Sequence, residues 1–80
     1  MTATVKKDYK EIAKKNIFVK NAAEIREICL KEDVDIGVGA DMWIANNKVA
    51  KTKEVMEQYQ EYRELCKEVT LKVIAEEIAK

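Results

Sequence analysis

Three aspartates in segment 33–41 are the residues of this sequence best spaced to hold a metal ion. Asp33, Asp35 and Asp41 would occupy positions 1, 3 and 9 of a calcium-binding loop of the EF-hand type. Such a loop also needs glycine at position 6 for its sharp turn and a bidentate glutamate at position 12, where this sequence has valine and isoleucine. We therefore expect the aspartates to cap helices and form turns, and we expect no metal site.

The same segment contains Gly37 and Gly39, which are the only glycines of the chain. A lone G-x-G is too short for a phosphate-binding loop, which needs a longer glycine pattern and, in Walker-type sites, a following Lys-Ser/Thr. Here Ala40 and Asp41 follow, and the acid would repel a phosphate. We interpret the glycines as parts of a tight turn, so segment 33–39 is the strongest predicted loop.

The side chains needed for catalysis are scarce. The sequence contains no histidine and no serine, and neither Cys29 nor Cys66 has a histidine to activate it. Both cysteines fall on apolar stripes of predicted helices, which favours reduced thiols over a disulfide and implies a reducing compartment. They are also too far apart in sequence for a Cys-x-x-Cys ligand pair. We expect a protein that is not an enzyme and has no cofactor.

Residues 22–48 give the one pattern that points to nucleic acid. Read as a helix, a glycine-containing turn and a short helix, this segment loosely resembles a helix-turn-helix, with Trp43 and Ile44 in the core. The residues that would then face DNA are Asn46, Asn47, Lys48 and Lys51. The turn between Glu32 and Ala40 is longer than the three or four residues of that motif, and the nearby aspartates repel phosphate. DNA binding is therefore the alternative hypothesis for the function.

The elements that position these residues are predicted to be helices. Apolar spacing predicts a first helix over 5–15 and a second over 21–32, with Asn21 and Glu24 as a variant of the capping box. Segment 17–19 is either a brief extended segment or a buried connection. A short helix is expected over 42–45.

A long helix is predicted to run to the C-terminus from about residue 49 or 53, or from residue 42 if Asn46 and Asn47 do not interrupt it. The whole sequence, 1–80, is thus predicted to be one all-α domain, a bundle of three or four helices with this long helix as its spine.

Apolar residues of the long helix repeat every 3.5 positions. They are Val55, Tyr59, Tyr62, Cys66, Val69 and Val73. The repeat is shorter than three heptads, so packing within the domain is favoured over a coiled coil. Tyr59 and Tyr62 are then either core residues with a hydroxyl at the rim or anchors of an interface.

A second apolar stripe predicts self-association. Leu71, Ile74 and Ile78 are expected to point away from the first stripe, which would leave the last turns apolar nearly all round. One short domain can hardly cover both sides of such a helix. We therefore predict a non-catalytic protein-interaction module, which is an adaptor, regulator or inhibitor of a larger assembly and a homodimer through its C-terminal helix. The residues expected at the protein interface are Leu71, Ile74, Ile78, Trp43, Tyr59 and Tyr62.

The charges of the chain sum to zero but alternate in blocks. The net charge is +4 over 1–20, −4 over 21–42, +3 over 43–53 and −3 over 54–80. Such blocks can attract one another within a fold or between subunits, and they argue against a surface built wholly for nucleic acid. We expect the basic first block to contact an acidic patch on a partner protein rather than lipid, and residues 54–80 of a second copy are one candidate for that patch. No signal peptide and no apolar run of about 20 residues is present, so a cytoplasmic protein without membrane contact is expected.

Overall fold

The computed structural model describes residues 7–80, and within that range it contains helices and no strand. In chain order the six helices are α1 (Tyr9–Ala13), α2 (Ile17–Lys20), α3 (Ala22–Glu32), α4 (Ile36–Asn46), α5 (Lys53–Glu68) and α6 (Leu71–Ala79). The predicted all-α class is confirmed, although six short helices replace the three or four expected. The start of the first predicted helix, residues 5 and 6, lies outside the described residues. No helix within residues 7–80 is long and apolar enough to cross a membrane.

Most helices begin at a side chain that can accept a backbone hydrogen bond. The residues whose side-chain oxygens cap α1, α2, α4, α5 and α6 are Asp8, Asn16, Asp35, Thr52 and Thr70. Helix α3 is the exception, because the capping box predicted there does not form. The Asn21 amide instead donates to the Ile17 carbonyl oxygen, 2.8 Å away, and Glu24 accepts a hydrogen bond from Trp43.

The predicted long C-terminal helix is divided in two at Val69 and Thr70. Val69 is extended, with φ −138° and ψ 159°, and the Thr70 hydroxyl oxygen accepts from the Val73 amide at 3.3 Å to start α6. The break lets α6 turn back and pack against α1 and α3. The apolar face of α6 is therefore covered by the chain's own helices.

The turn between α3 and α4 is shorter than predicted. Asp33 adopts the left-handed conformation at φ 56°, and the Val34 amide donates to the Cys29 carbonyl oxygen to close the end of α3. Asp35 then caps α4, so the turn comprises residues 33–35 and both glycines lie inside a helix. The prediction of a loop over 33–39 is thus wrong in its second half.

Gly39 is required by the close approach of α3 and α4 rather than by a turn. A methyl group at this position would overlap the Cys29 Sγ atom and lie 3.5 Å from Ile25 Cγ2. With Cys29 in place, a residue without a side chain is needed for the two helices to pack this closely. Gly39 therefore serves helix packing.

Phe18 lies at the centre of the core. Its ring meets Trp43 and Tyr59 edge-on, with ring centroids 6.0 and 5.6 Å apart, and lies tilted to Tyr62 at 5.6 Å. Segment 17–19, for which two structures were open, is a buried connection folded as one helical turn.

The buried Asn16 holds this turn in place, and all its hydrogen-bonding groups are used. Its Oδ1 accepts from the amides of Phe18 and Val19 at 3.0 and 3.2 Å. Its Nδ2 donates to the Gln58 carbonyl oxygen and to Glu61 Oε1, both at 2.8 Å. A polar side chain only 1% exposed is therefore satisfied and ties α2 to α5.

Candidate interaction surface

The structure places the predicted C-terminal interface inside the molecule. Leu71 is 6% exposed, Ile74 is fully buried and Ile78 is partly buried against the core. The expectation that these three side chains point outward is wrong, because it assumed one continuous helix. The break at Val69 and Thr70 folds their stripe against α1 and α3, so the self-association predicted from it loses its basis.

The three aromatic candidates for the interface are also core residues. Trp43 is buried, and its Nε1 donates to Glu24 Oε1 at 2.9 Å. The hydroxyl of the buried Tyr62 donates to the Ile36 carbonyl oxygen at 2.9 Å, and burial raises the pKa of this hydroxyl well above its ordinary value. The hydroxyl of Tyr59 reaches the Gly37 carbonyl oxygen at 3.5 Å. The two tyrosines therefore fix the first turn of α4 on α5.

The four residues predicted to face DNA are all exposed at the end of α4 and in the loop that follows. Asn47 uses its side-chain amide to donate to the Trp43 carbonyl oxygen at 2.9 Å. The left-handed residue that ends α4 is Lys48, at φ 55°, rather than one of the asparagines. Lys51 lies further along the loop, and Asn46 is the last residue of the helix.

The connection between α3 and α4 has the length of a helix-turn-helix turn, because it comprises three residues instead of the longer segment predicted. In that motif the N-terminal residues of the second helix contact base edges. Here that end carries Asp35, and residues 36–46 contain no lysine or arginine. The candidate DNA-binding residues lie at the opposite end of the helix.

The two cysteines are free and partly exposed. Burial raises the pKa of Cys66 to about 11, and it also raises the pKa of Cys29. Both groups therefore stay protonated near neutral pH, where a thiol is a poor nucleophile and a poor metal ligand. Within residues 7–80 no group of three or more histidine, cysteine or acidic side chains is placed to hold a metal ion.

The basic N-terminal block contacts the C-terminal part of its own chain. Lys7 Nζ lies 2.6 Å from Glu68 Oε1, and Lys10 Nζ donates to the Lys80 backbone carbonyl oxygen. These contacts are intramolecular, so they need no second copy of the chain. Three lysines of the block surround a pocket of about 280 Å³, called here the basic pocket, which is lined by Lys10, Ala13, Lys14 and Lys20.

The turn between α3 and α4 forms the most distinctive part of the surface. This region, called here the acidic tip, comprises Leu30, Glu32, Asp33, Val34, Asp35 and Val38. Leu30 is 63% exposed and Val38 is 43% exposed, and they are the large apolar side chains that stay exposed in the part of the chain the structure describes. They flank three exposed carboxylates within four residues.

No carboxylate of the acidic tip forms an ion pair with a residue in 7–80. Lys31 is exposed beside the tip. Arg63 of α5 approaches the start of α4, with its guanidinium over the Tyr59 ring at 5.8 Å from the centroid. Because neither base neutralises the tip through an ion pair, its charge faces solvent together with its apolar flanks.

Sequence reasoning missed the acidic tip, although one signal was present. Leu30 lies off the apolar stripe of α3, which consists of Ala22, Ile25, Ile28 and Cys29. An apolar side chain off the buried face of a helix must be exposed or meet another partner. Val38 gave no such signal, because it was assigned to a loop. Comparisons of the chain with protein-family models, with curated proteins and with solved structures found no match.

Proposed function

We propose that this protein is a small non-catalytic protein-interaction module, an adaptor, regulator or inhibitor of a larger assembly, that binds its partner through the acidic tip. The observation that carries the proposal is the position of Leu30 and Val38, which flank the same three-residue turn. Apolar side chains beside a charged rim are typical of protein-binding surfaces. The carboxylates of the tip favour a partner with a basic surface.

The side-chain chemistry supports a non-catalytic function in the cytoplasm. The two thiols are protonated near neutral pH, and the chain has no histidine to act as a proton carrier. Free thiols also suit a reducing compartment. The acidic tip offers contact area and charge rather than reactive groups.

DNA binding is the second candidate, and the three-residue turn between α3 and α4 favours it. The close packing of these helices at Gly39 also suits a helix-turn-helix. The acidic tip opposes this function because it would meet the phosphate backbone. Under this alternative the contacts would come from Asn46, Asn47, Lys48 and Lys51.

Affinity capture from the native cell tests the two candidates. The bait is the tagged protein, compared with a tip variant that combines Leu30→Gln and Val38→Gln, and with a control variant, Ala45→Gln, which changes an exposed residue at the other end of α4. All three substitutions are at exposed positions, so circular dichroism should show an unchanged fold.

A defined protein that the wild type and the control retain, and that the tip variant loses, would support the proposal. The same proteins on all three baits would contradict it. Capture that nuclease treatment abolishes, together with a shift of duplex DNA that weakens steeply with salt, would favour DNA binding instead.

A further inference from the structure

We infer that the partner of the acidic tip is the basic pocket of a second copy of this chain, so that copies associate head to tail. This inference rests on the proposed function and names the partner of the same surface. It follows from the placement of two oppositely charged surfaces at the two ends of α3.

The basic pocket lies at the N-terminal end of α3. Lys20 is two residues before the first residue of this helix, and Lys10 and Lys14 belong to α1 and its end. Ala13 adds an apolar side chain to the lining of the pocket. Glu11 pairs with Lys14 at 2.9 Å, and Lys10 donates to the Lys80 carbonyl oxygen, whereas Lys20 has no ion pair with a residue in 7–80.

The acidic tip lies at the other end of the same helix. Helix α3 has 11 residues, so its two ends are about 16 Å apart at a rise of about 1.5 Å per residue. Glu32 and Asp33 therefore cannot reach Lys20 within one molecule. Charges that complement each other but are held apart by a rigid helix can pair only between molecules.

A second exposed basic region, the loop after α4, is the competing acceptor for the tip. It carries Lys48, Lys51 and Lys53, and it is about as far from the tip because α4 also has 11 residues. The basic pocket has in addition the apolar side chain of Ala13 in its lining. The basic pocket can receive both the carboxylates of the tip and an apolar flank, which favours it over the loop.

A contact between different surfaces of two copies has a defined consequence. One end of each chain binds the opposite end of the next, so association continues until the concentration limits it. The interface is small and its charges are exposed, so we expect weak association with a dissociation constant on the order of 0.1–1 mM at low salt. Raising the salt concentration to about 1 M reduces the Debye length to about 3 Å and should abolish association.

Two variants, in which charged side chains are replaced by neutral amides, test the contact by sedimentation equilibrium. The tip-neutral variant carries Glu32→Gln and Asp33→Asn, and the pocket-neutral variant carries Lys14→Gln and Lys20→Gln. Asp35 is left unchanged because it caps α4. The control, Lys48→Gln with Lys51→Gln, removes the same amount of positive charge from the loop. Thermal melts followed by circular dichroism check that each variant is folded.

The wild type should increase in mass with concentration at low salt and form species larger than a dimer. Each neutral variant alone should associate about threefold to tenfold more weakly, and the control should behave as the wild type. A 1:1 mixture of the two neutral variants should form mainly dimers, because each pair retains one intact tip and one intact pocket, and every further contact is weakened threefold to tenfold.

Three results would overturn the inference. They are a wild type that stays monomeric at low salt, a mixture that forms no dimers although the wild type associates, and a control that loses association as the pocket-neutral variant does. A monomeric wild type whose acidic tip still captures another protein would leave the proposed function intact and would refute only the second copy as its partner.

Discussion

Gly39→Ala is expected to destabilise the protein, although alanine is the better helix former. In an exposed helix this substitution stabilises by about 1 kcal/mol. Here the new methyl group would overlap Cys29 Sγ. The thiol can escape only by rotation, which gives up its contact with the Asp35 carbonyl oxygen at 3.5 Å, and one of its χ1 rotamers is rare in helices. Overpacking costs about 1–3 kcal/mol, and the helix propensity offsets part of it. We expect a net loss of about 1–2 kcal/mol.

Removing the thiol should reverse the effect of the same substitution. In a Cys29→Ala background the nearest remaining atoms are Ile25 Cγ2 and the Ile25 carbonyl oxygen, both 3.5 Å from the new methyl group, which is ordinary contact. Gly39→Ala should then stabilise by up to about 1 kcal/mol. The two substitutions are therefore expected to be coupled by about 1–3 kcal/mol in a double-mutant cycle.

Urea and thermal unfolding of the wild type, the two single variants and the double variant measure this coupling. For a chain of this size a change of about 1 kcal/mol in the free energy of unfolding changes Tm by about 4–8 °C, so each effect is large enough to measure. Gly37→Ala is the control, because its methyl group would meet the Tyr59 hydroxyl at 3.0 Å, which can yield a few tenths of an ångström, and would otherwise make ordinary contact with Asp35 Oδ1 at 3.5 Å and Arg63 Cζ at 4.0 Å. If Gly39→Ala raises Tm while Cys29 is present, the close packing of α3 on α4 is refuted.

Three further predictions concern stability. Asn16→Ala should lower the free energy of unfolding by about 2–4 kcal/mol in urea denaturation, because a helix cap and two partly buried hydrogen bonds to α5 are lost together. A loss below about 1 kcal/mol would contradict the anchoring of α2 on α5. Asp33→Gly and Lys48→Gly each put glycine at a position with the left-handed backbone conformation, which should raise the free energy of unfolding by about 1 kcal/mol. Calorimetry should show the larger gain in stability for Asp33→Gly, because this substitution removes an acid, which is unfavourable at a helix C-terminus, whereas Lys48→Gly removes a base, which is favourable there. A larger gain for Lys48→Gly would contradict this prediction. Raising the pH from about 8 to about 11 should lower the urea midpoint, because the thiol of Cys66, with its pKa of about 11, keeps its proton in the folded chain after the unfolded chain has lost it near the ordinary value of 9. Cys66→Ala should flatten this decline, and an unchanged slope would exclude the thiol as its source.

The helical class could be predicted from the sequence because it depends on local properties. The chain has no proline, and its apolar residues have helical spacing. The division between α5 and α6 could not be predicted in the same way. Thr70 is only weakly unfavourable inside a helix, and the break is stabilised by packing of α6 on α1 and α3, which are distant in sequence.

The two glycines show why the rule that glycine marks a turn can predict a loop where the chain forms a helix. Gly37 and Gly39 are compatible with a turn and with close helix packing, and their neighbours in sequence do not distinguish these. The deciding contact is the Cys29 side chain, ten residues before Gly39. The same error hides the candidate surface, because a loop predicted over 33–39 gives no expectation that Val38 is an exposed residue of a helix.

The charge blocks explain why the tip, rather than the C-terminal helix, is left for a partner. The basic block near the N-terminus is partly satisfied by the C-terminal region, through Lys7 with Glu68 and Lys10 with the Lys80 carbonyl oxygen. The acidic block has no comparable contact, because α3 and α4 hold its turn about 16 Å from the lysines at their far ends. Folding thus uses the apolar surface of α6 and part of the basic block, and it leaves Glu32 and Asp33 without an ion pair among residues 7–80. Two exposed apolar side chains accompany these unpaired acids. A partner with a complementary surface would bury the apolar side chains and pair the acids at the same time, so the tip is the part of the described surface best suited to bind one.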